Sequence, residues 1–423
     1  PALEVGGMGQ VFLQPDGRLS RLVVVPPEDS GPRGAASPDW APMFEAAGLD
    51  AARATESAPR WRPPVGSDRR FAWTIVPEGW SEPVRVEAAS LAGRPVWFEV
   101  FAPWKRAVQP ISATTRPLDR LFDLIFMVAL VGTLAIGAFL ANRNLRRGRG
   151  NRQGAWRLAL LVGSMALVSE AFMKDHFAGA GLETGVIFSA VSSSVFIAAT
   201  IWVWYLALEP YLRRRWPKTL ISWNRILQGR GLDPLVGRDI LLGVLAGASI
   251  RLAQFIALAA PSWLGWKPPV PADSTFLELT SWKYTLGYAF RNPSFAIGIA
   301  LAWMVVLLIA HLIFRQRWIA IAVVVLVVAS IFPGENYPLL EWPLRLLVAT
   351  VVAAVMARFG LVALVTTMYV TSMYDNFPIT LDPTVWYFGQ SLLALALVIG
   401  LAVFGFVRAM GQHAVFGAPV LED

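Results

Sequence analysis

Two hydrophobic patterns succeed one another along this chain. Up to about residue 112, apolar positions come in short runs broken by Pro, Gly, Asp and Ser, the rhythm of strands and turns. Residues 10–14 and 19–25 flank Pro15-Asp16-Gly17, which predicts a hairpin. Ser37-Pro38-Asp39 offers a helix start, with a hydroxyl cap, a proline in the first turn and an acid at the positive dipole end. That helix runs through Trp40, Met43, Phe44 and Ala47 and stops at Gly48. Residues 71–76, 84–88 and 96–101 read as further strands. The expectation is a small α+β domain over 1–112, open to truncation at its start.

From residue 119 the pattern changes to apolar runs long enough to cross roughly 30 Å of hydrocarbon. They fall at 119–141, 155–175, 185–208, 239–260, 294–314, 318–333, 338–357, 359–375 and 385–407. Trp156, Trp202, Trp204, Trp263, Trp318, Trp342 and Trp386 lie near predicted ends, where indoles favour the membrane interface. The fold class expected is mainly α, a polytopic helical membrane bundle of about nine spans over 113–423, preceded by the small α+β domain.

Charge adds a direction. The link after the first run holds Arg143, Arg146, Arg147, Arg149, Arg152 and Arg157, and the link after the third holds Arg213, Arg214, Arg215, Lys218, Arg225, Arg230 and Arg238. Arg315 with Arg317, then Arg358, then Arg408 continue the alternation. The opposite links carry Lys174 with Asp175 and Glu183, Lys267 and Lys283 with Asp273 and Glu278, Glu335 alone, and Asp375 with Asp382. Basic links mark the cytoplasmic side. The first domain is therefore expected outside a bacterial inner membrane and the C-terminus inside.

Composition agrees: hydrophobic residues are 55% and charged residues 16%, against about 25% charge in ordinary soluble domains. The net charge of +8 sits between apolar runs, a placement that suits membrane orientation and not nucleic acid. The absence of cysteine excludes disulfides, thiolate metal sites and thiol nucleophiles. The chain opens at Pro1 with neither Met nor a signal-peptide pattern, so it is expected to be the distal part of a longer polypeptide.

Within 209–238, Leu220, Trp223, Ile226 and Leu227 share a helical face, with Asn224 and Arg225 off it. Such a basic amphipathic segment, with Arg213, Arg214, Arg215, Lys218 and Arg225, either lies on anionic inner-leaflet lipid or packs on the bundle. Gly6-Gly7-Met8-Gly9 imitates the glycine loop of protein kinases, but neither His-Arg-Asp nor Asp-Phe-Gly occurs, and the first lysine is Lys105. A structural turn is the expectation there. Only His176, His311 and His413 exist, without a His-Glu-x-x-His. Phe172-x-x-x-His176 and Glu341-x-x-x-Arg345 touch on intramembrane protease chemistry, but they read better as an interfacial histidine and a helix-stabilising pair. Charges inside apolar runs are the stronger pointers, since each costs at least about 2.5 kcal/mol at the bilayer centre unless paired or hydrated. Arg251, with Gln254 nearby, and Glu170 are the candidates, expected to pair between helices or to line a polar cavity. Ser192-Ser193-Ser194 and Gly243/Gly247 suit close helix packing.

Residues 208–223, Leu-Glu-Pro-Tyr-Leu-Arg-Arg-Arg-Trp-Pro-Lys-Thr-Leu-Ile-Ser-Trp, continue to Asp-Pro-Leu-Val-Gly-Arg-Asp-Ile-Leu-Leu-Gly at 233–243. This stretch resembles the membrane region of large bacterial serine/threonine protein kinases of the kind found in Acidobacteria. Phe-Pro-Ile-Thr-Leu-Asp at 377–382 with Trp386-Tyr387, and Gly-Arg-Leu at 17–19 with residues 25–27 and 44–50, fit the same family. The resemblance implies a cytoplasmic kinase domain upstream, one further span, and then this chain as a non-catalytic sensory and anchoring region. ATP and magnesium would belong to that upstream domain, and no cofactor or metal is expected here. A transporter or channel-like module is the alternative class, and an intramembrane protease a more distant one.

Overall fold

The computed structural model describes residues 6–14, 16–26, 38–77, 80, 82–102, 117–175, 180–266, 277–331 and 338–411. Two compact units divide at Phe122/Asp123. Ser37, Lys105, Lys267, Asp273, Glu335, His176 and His413 fall outside the described residues, as does the 112/113 boundary expected from composition.

The first unit is an antiparallel sheet in the order β1-β2-β6-β5-β4-β3, formed by β1 (Gly9–Leu13), β2 (Leu19–Val24), β3 (Thr55–Glu56), β4 (Arg69–Ile75), β5 (Val84–Leu91) and β6 (Arg94–Phe101). Period-two alternation puts Leu22, Phe71, Trp73, Val86, Ala88 and Phe98 on one face, where α1 (Ala41–Ala46) adds Trp40 and Phe44. Trp40, Phe44, Phe71, Trp73 and Phe98 form an edge-to-face and stacked aromatic cluster. The helix starts later than the sequence suggests. Trp40 is its cap position without a side-chain bond, and Asp39 accepts from the Ala41 N–H instead. It ends as expected: the Gly48 N–H bonds to the Glu45 carbonyl and the Leu49 N–H to the Phe44 carbonyl, a Schellman closure.

The other face carries a charged row. Arg21, Glu99 and Glu87 stand opposite one another on β2, β6 and β5. Glu87 is wholly buried, and its carboxylate accepts from the Arg60 N–H (3.0 Å), the Trp61 N–H (2.9 Å) and Arg85 Nε (2.7 Å). It thereby ties residues 57–68 across this face, where Trp61 and Val65 pack on Val23, Trp97 and Phe101. Strands β5 and β6 extend beyond the predicted ranges and join through Ala92-Gly93, both at positive φ (51° and 75°). Glycine tolerates that backbone and alanine does so poorly. The Asp68 carboxylate holds the turn by accepting the Ala92 N–H at 2.7 Å, a bond that keeps its pKa below the usual range.

The second unit is helical: α2 (Pro117–Arg146), α3 (Arg152–Met173), α4 (Ala180–Arg215), α5 (Ile221–Leu227), α6 (Pro234–Trp263), α7 (Leu277–Thr280), α8 (Trp282–Phe314), α9 (Arg317–Ile331), α10 (Pro338–Arg358), α11 (Leu361–Asn376) and α12 (Phe388–Met410). A helix lies at each of the nine predicted ranges, but α9 and α11 have only 15 and 16 residues. Among the described residues five stretches are long and apolar enough to cross a membrane: Arg152–Met173, Glu183–Arg215, Pro234–Trp263, Trp282–Phe314 and Phe388–Met410. Ile187, Phe188, Val191, Val195 and Phe196 make an exposed apolar stripe along α4, as a lipid-facing surface requires. The central element is α8, whose apolar window is 56% buried against 17–28% in the other four.

Two helices outrun their predicted ends. α8 begins at Trp282 and passes through Arg291-Asn292-Pro293, because the buried Asn292 finds its bonds on α11. α4 continues past Glu209-Pro210 to Arg215, because Glu209 pairs with Arg213 one turn on and accepts the Asn151 N–H. The longer helix leaves Trp204 in the core and Trp202 half-buried, whereas Trp156, Trp263, Trp318, Trp342 and Trp386 are exposed.

Close helix contacts are made by small residues. A Cβ on Gly243 would lie 2.5 Å from Thr366 Cβ, and one on Gly247 would lie 2.7 Å from Val370 Cβ, so α6 and α11 touch nearly backbone to backbone. Gly237 meets Gly405 and Ala409 on α12 in the same way, and Gly163 on α3 meets Ala198 and Ser194 on α4.

Two outcomes follow. Glu87→Ala strands two part-buried backbone donors and the Arg85 guanidinium, at an expected cost of about 2–3 kcal/mol; limited proteolysis should then cut residues 57–68 markedly faster than in the parent chain. Gly243→Val should lower thermal stability in detergent by the equivalent of about 1–3 kcal/mol through overpacking. Gly400→Ala on α12, whose Cβ would meet nothing within 4 Å, should leave it unchanged.

Candidate functional site

The glycine seam of α6 leads to a polar site. Gly243, Gly247 and Arg251 recur every four residues and so share one face of the helix. At the end of the seam the Arg251 guanidinium forms an ion pair with Asp375 and donates from Nη2 to the Thr371 carbonyl at 2.6 Å. Thr371 and Asp375 stand four apart on α11. The adjoining pair, Ser372 and Asn376, is turned toward α8. There Asn292 Oδ1 accepts from Ser372 Oγ at 3.0 Å and from Asn376 Nδ2 at 2.8 Å. One turn and a half of α11 therefore presents two adjacent polar edges, one to α6 and one to α8. Arg251 Nε and Gln254 Oε1 are buried without a hydrogen-bond partner among the described residues.

Glu170, the expected partner of Arg251, is engaged elsewhere. It pairs at 3.3 Å with Lys174, one turn along its own helix α3. The acid that meets Arg251 is Asp375, which the sequence placed in an outer link. Glu341 and Arg345 do form the helix-stabilising pair, at 2.8 Å.

The second candidate region lies between α4 and α6. Segment 209–238 is not one amphipathic helix. α4 takes residues up to Arg215, a 3-10 turn spans Pro217–Leu220, and α5 follows. Leu220 and Trp223 are buried in the bundle core, so the apolar stripe packs on protein, while Ile226 is exposed and Leu227 half-buried. Polar bonds fix the segment. Ser222 Oγ donates to Asp239 Oδ2 at 2.5 Å, Arg238 also binds Asp239, Arg225 pairs with Asp233, and Arg157 Nη1 donates to the Leu227 carbonyl at 3.0 Å. Asp233 caps α6 through the Leu235 N–H. Burial works against its charge, but that bond and the Arg225 guanidinium outweigh it and hold the carboxyl below its usual range. Gly360, at φ 89°, lies against the Thr219 backbone where a Cβ would come within 2.5 Å. Arg213 is spent on Glu209 and Arg215 on His311, whereas Arg214 and Lys218 are exposed.

Among the described residues no three His, Asp or Glu side chains group as metal ligands. Gly6-Gly7 is a turn, with the Gly7 N–H donating to the Val25 carbonyl beside the β1–β2 hairpin. The chain matches no protein-family model, no curated protein and no solved structure. The sites therefore stand on their own chemistry: a charge-compensated polar layer inside the bundle, and a basic segment clamped to its end.

The two carboxylates make opposite predictions. Asp375→Ala leaves the largely buried Arg251 without its counter-charge and should cost about 1–3 kcal/mol. Glu170→Gln removes only a partly exposed pair within one helix and should cost under about 0.5 kcal/mol. Thermal unfolding of the two purified variants in one detergent checks the order.

Proposed function

We propose that this chain is the membrane-anchoring and sensory region of a receptor-like bacterial serine/threonine protein kinase. It crosses the inner membrane nine times, with the sheet domain outside and the C-terminus in the cytoplasm. The kinase domain, with its ATP and magnesium, lies upstream in the same polypeptide. The resemblance over 208–243 and the alternation of basic links support this reading.

The observation that carries it is the docking of residues 216–233. This segment holds the most distinctive part of the resemblance, and it is built into the bundle through Leu220, Trp223 and Asp239 while Lys218 and Arg230 remain exposed. A basic surface fixed to α6 and α11 moves with those helices, which is what coupling an outer stimulus to a cytoplasmic domain requires. Four of the nine crossings rest on helices outside the five apolar stretches above; α9, at 15 residues, is about 22 Å long. A transport reading draws instead on the unpartnered Arg251 Nε and Gln254 Oε1, and it requires solute uptake in proteoliposomes that Arg251→Ala abolishes.

The test joins topology and activity. A fluorescent reporter fused after Asp423 should fold and fluoresce, and alkaline phosphatase fused there should stay inactive. The polypeptide encoded with its upstream segment should phosphorylate protein, and residues 1–423 alone should bind no ATP. An active phosphatase at the tail overturns the orientation and the receptor reading with it.

A further inference from the structure

At the end of α8, His311 is nine-tenths buried and meets the last residue of α4: Arg215 Nη1 lies 2.9 Å from His311 Nε2. The Trp216 ring packs against the imidazole, with centroids 5.4 Å apart. An arginine N–H can only donate, so Nε2 must accept and the ring proton sits on Nδ1. That Nδ1 is buried and has no partner among the described residues. Arg317, the first residue of α9, is the second cation whose charge acts on the ring, and its Nη2 donates to the Ala357 carbonyl at 3.2 Å.

The cluster lacks an anion. Elsewhere in the bundle Arg213, Arg225, Arg238, Arg251 and Arg345 each pair with a carboxylate, on Glu209, Asp233, Asp239, Asp375 and Glu341. Arg215 and Arg317 meet no carboxylate among the described residues. The Arg215 guanidinium meets the imidazole directly, Arg317 adds a second positive charge that acts on the ring, and both guanidiniums have N–H groups left to donate. Their surroundings are apolar and open: Ile313 is 66% exposed and Trp318 69% exposed, with Leu312 and Phe314 beside them. An exposed indole next to exposed aliphatic side chains marks the depth at which lipid headgroups lie.

We propose that Arg215, Arg317 and His311 form a binding site for the phosphate headgroup of an anionic phospholipid of the inner leaflet, with its acyl chains against Leu312, Ile313 and Phe314. The phosphate oxygens supply the negative charge that Arg215 and Arg317 meet on no carboxylate, and planar guanidiniums bind them in bidentate fashion. The apolar flank selects a lipid over a free phosphate ester. This assignment rests on the orientation proposed above, with α4 and α8 ending at the cytoplasmic face. It differs from a general attraction of basic links to anionic lipid because it names one site that joins α4, α8 and α9.

Native mass spectrometry of the full chain in detergent, with phosphatidylglycerol added, tests it. The chain should retain phosphatidylglycerol and not phosphatidylcholine, and R215Q/R317Q should lower retention about tenfold. R147Q/R230Q, which removes the same charge from the same side, should leave it intact, and R215K/R317K should restore part of it in a folded chain. Equal loss in R147Q/R230Q, or displacement of the lipid by an equal concentration of glycerol 1-phosphate, overturns the proposal. Because the chain has no cysteine, Q228C labelled with an impermeant maleimide reports orientation separately. Labelling from the outer face would refute the inner-leaflet placement while leaving the headgroup site to be judged by retention.

Discussion

Hydrocarbon offers no hydrogen-bond partner, so every polar group inside a bundle must be satisfied by the bundle itself. The contact between α6 and α11 shows how one requirement creates the next. Satisfying Arg251 needs a carboxylate and a carbonyl on a facing helix. Reaching both needs that helix at nearly backbone distance, and the approach needs glycine at 243 and 247. The four-residue spacing of Gly243, Gly247 and Arg251 is one device. It also fixes the register of α11, since Thr371 and Asp375 fall opposite Arg251 only when Thr366 and Val370 fall opposite the glycines.

At the other end of α6 the same logic acts with water nearby. Asp239 lies one turn inside the helix, buried, and binds Ser222 and Arg238. Asp233 caps the helix and holds Arg225. The two acids pull the connecting segment down onto the bundle, and Leu220 and Trp223 fill the core beneath it. The Leu220 and Trp223 half of an amphipathic stripe that could have rested on a leaflet is thereby used up in protein contacts, while Ile226 stays exposed. What the lipid can reach is the set of arginines and the lysine left over.

Much of this was readable from residue order, and the failures share a cause. The hairpin of β1 and β2, the stop at Gly48, the apolar runs and the importance of Arg251 all follow from local pattern. The partner of Arg251 does not, because a carboxylate 124 residues away is invisible to periodicity and Glu170 was as plausible as Asp375. A signal existed in Thr371-Ser372 followed by Asp375-Asn376, two polar pairs at helical spacing inside an apolar run, but it reads as the end of a span. The polar turn Arg291-Asn292-Pro293 misled in the same way. In each case a group that looks like a helix end is tolerated mid-helix because another helix satisfies it. The same holds for Ala92 in its turn, which needs Asp68 from a distant strand boundary.

The position of Asp375 sets the depth of the polar layer. It is the next-to-last residue of α11, while α6 runs on for twelve residues from Arg251 to Trp263, about 18 Å along its axis. That extension carries exposed Phe255, Ile256, Leu258 and Trp263, so it remains apolar on its outer surface. A helix that ends beside the middle of its neighbour sets the last polar residues of α11 against an apolar stretch of α6, well short of the end of that helix. Free carbonyls at that depth need donors, and side chains at that depth need each other, which accounts for the concentration of Asn292, Ser372, Asn376 and Arg251 in one layer. It also separates the pairing of Arg251 from ordinary surface ion pairs. Lys174 and Glu170 pair within one turn at the end of α3, whereas Arg251, with its side chain 19% exposed, is held by a carboxylate of another helix that is itself 60% exposed.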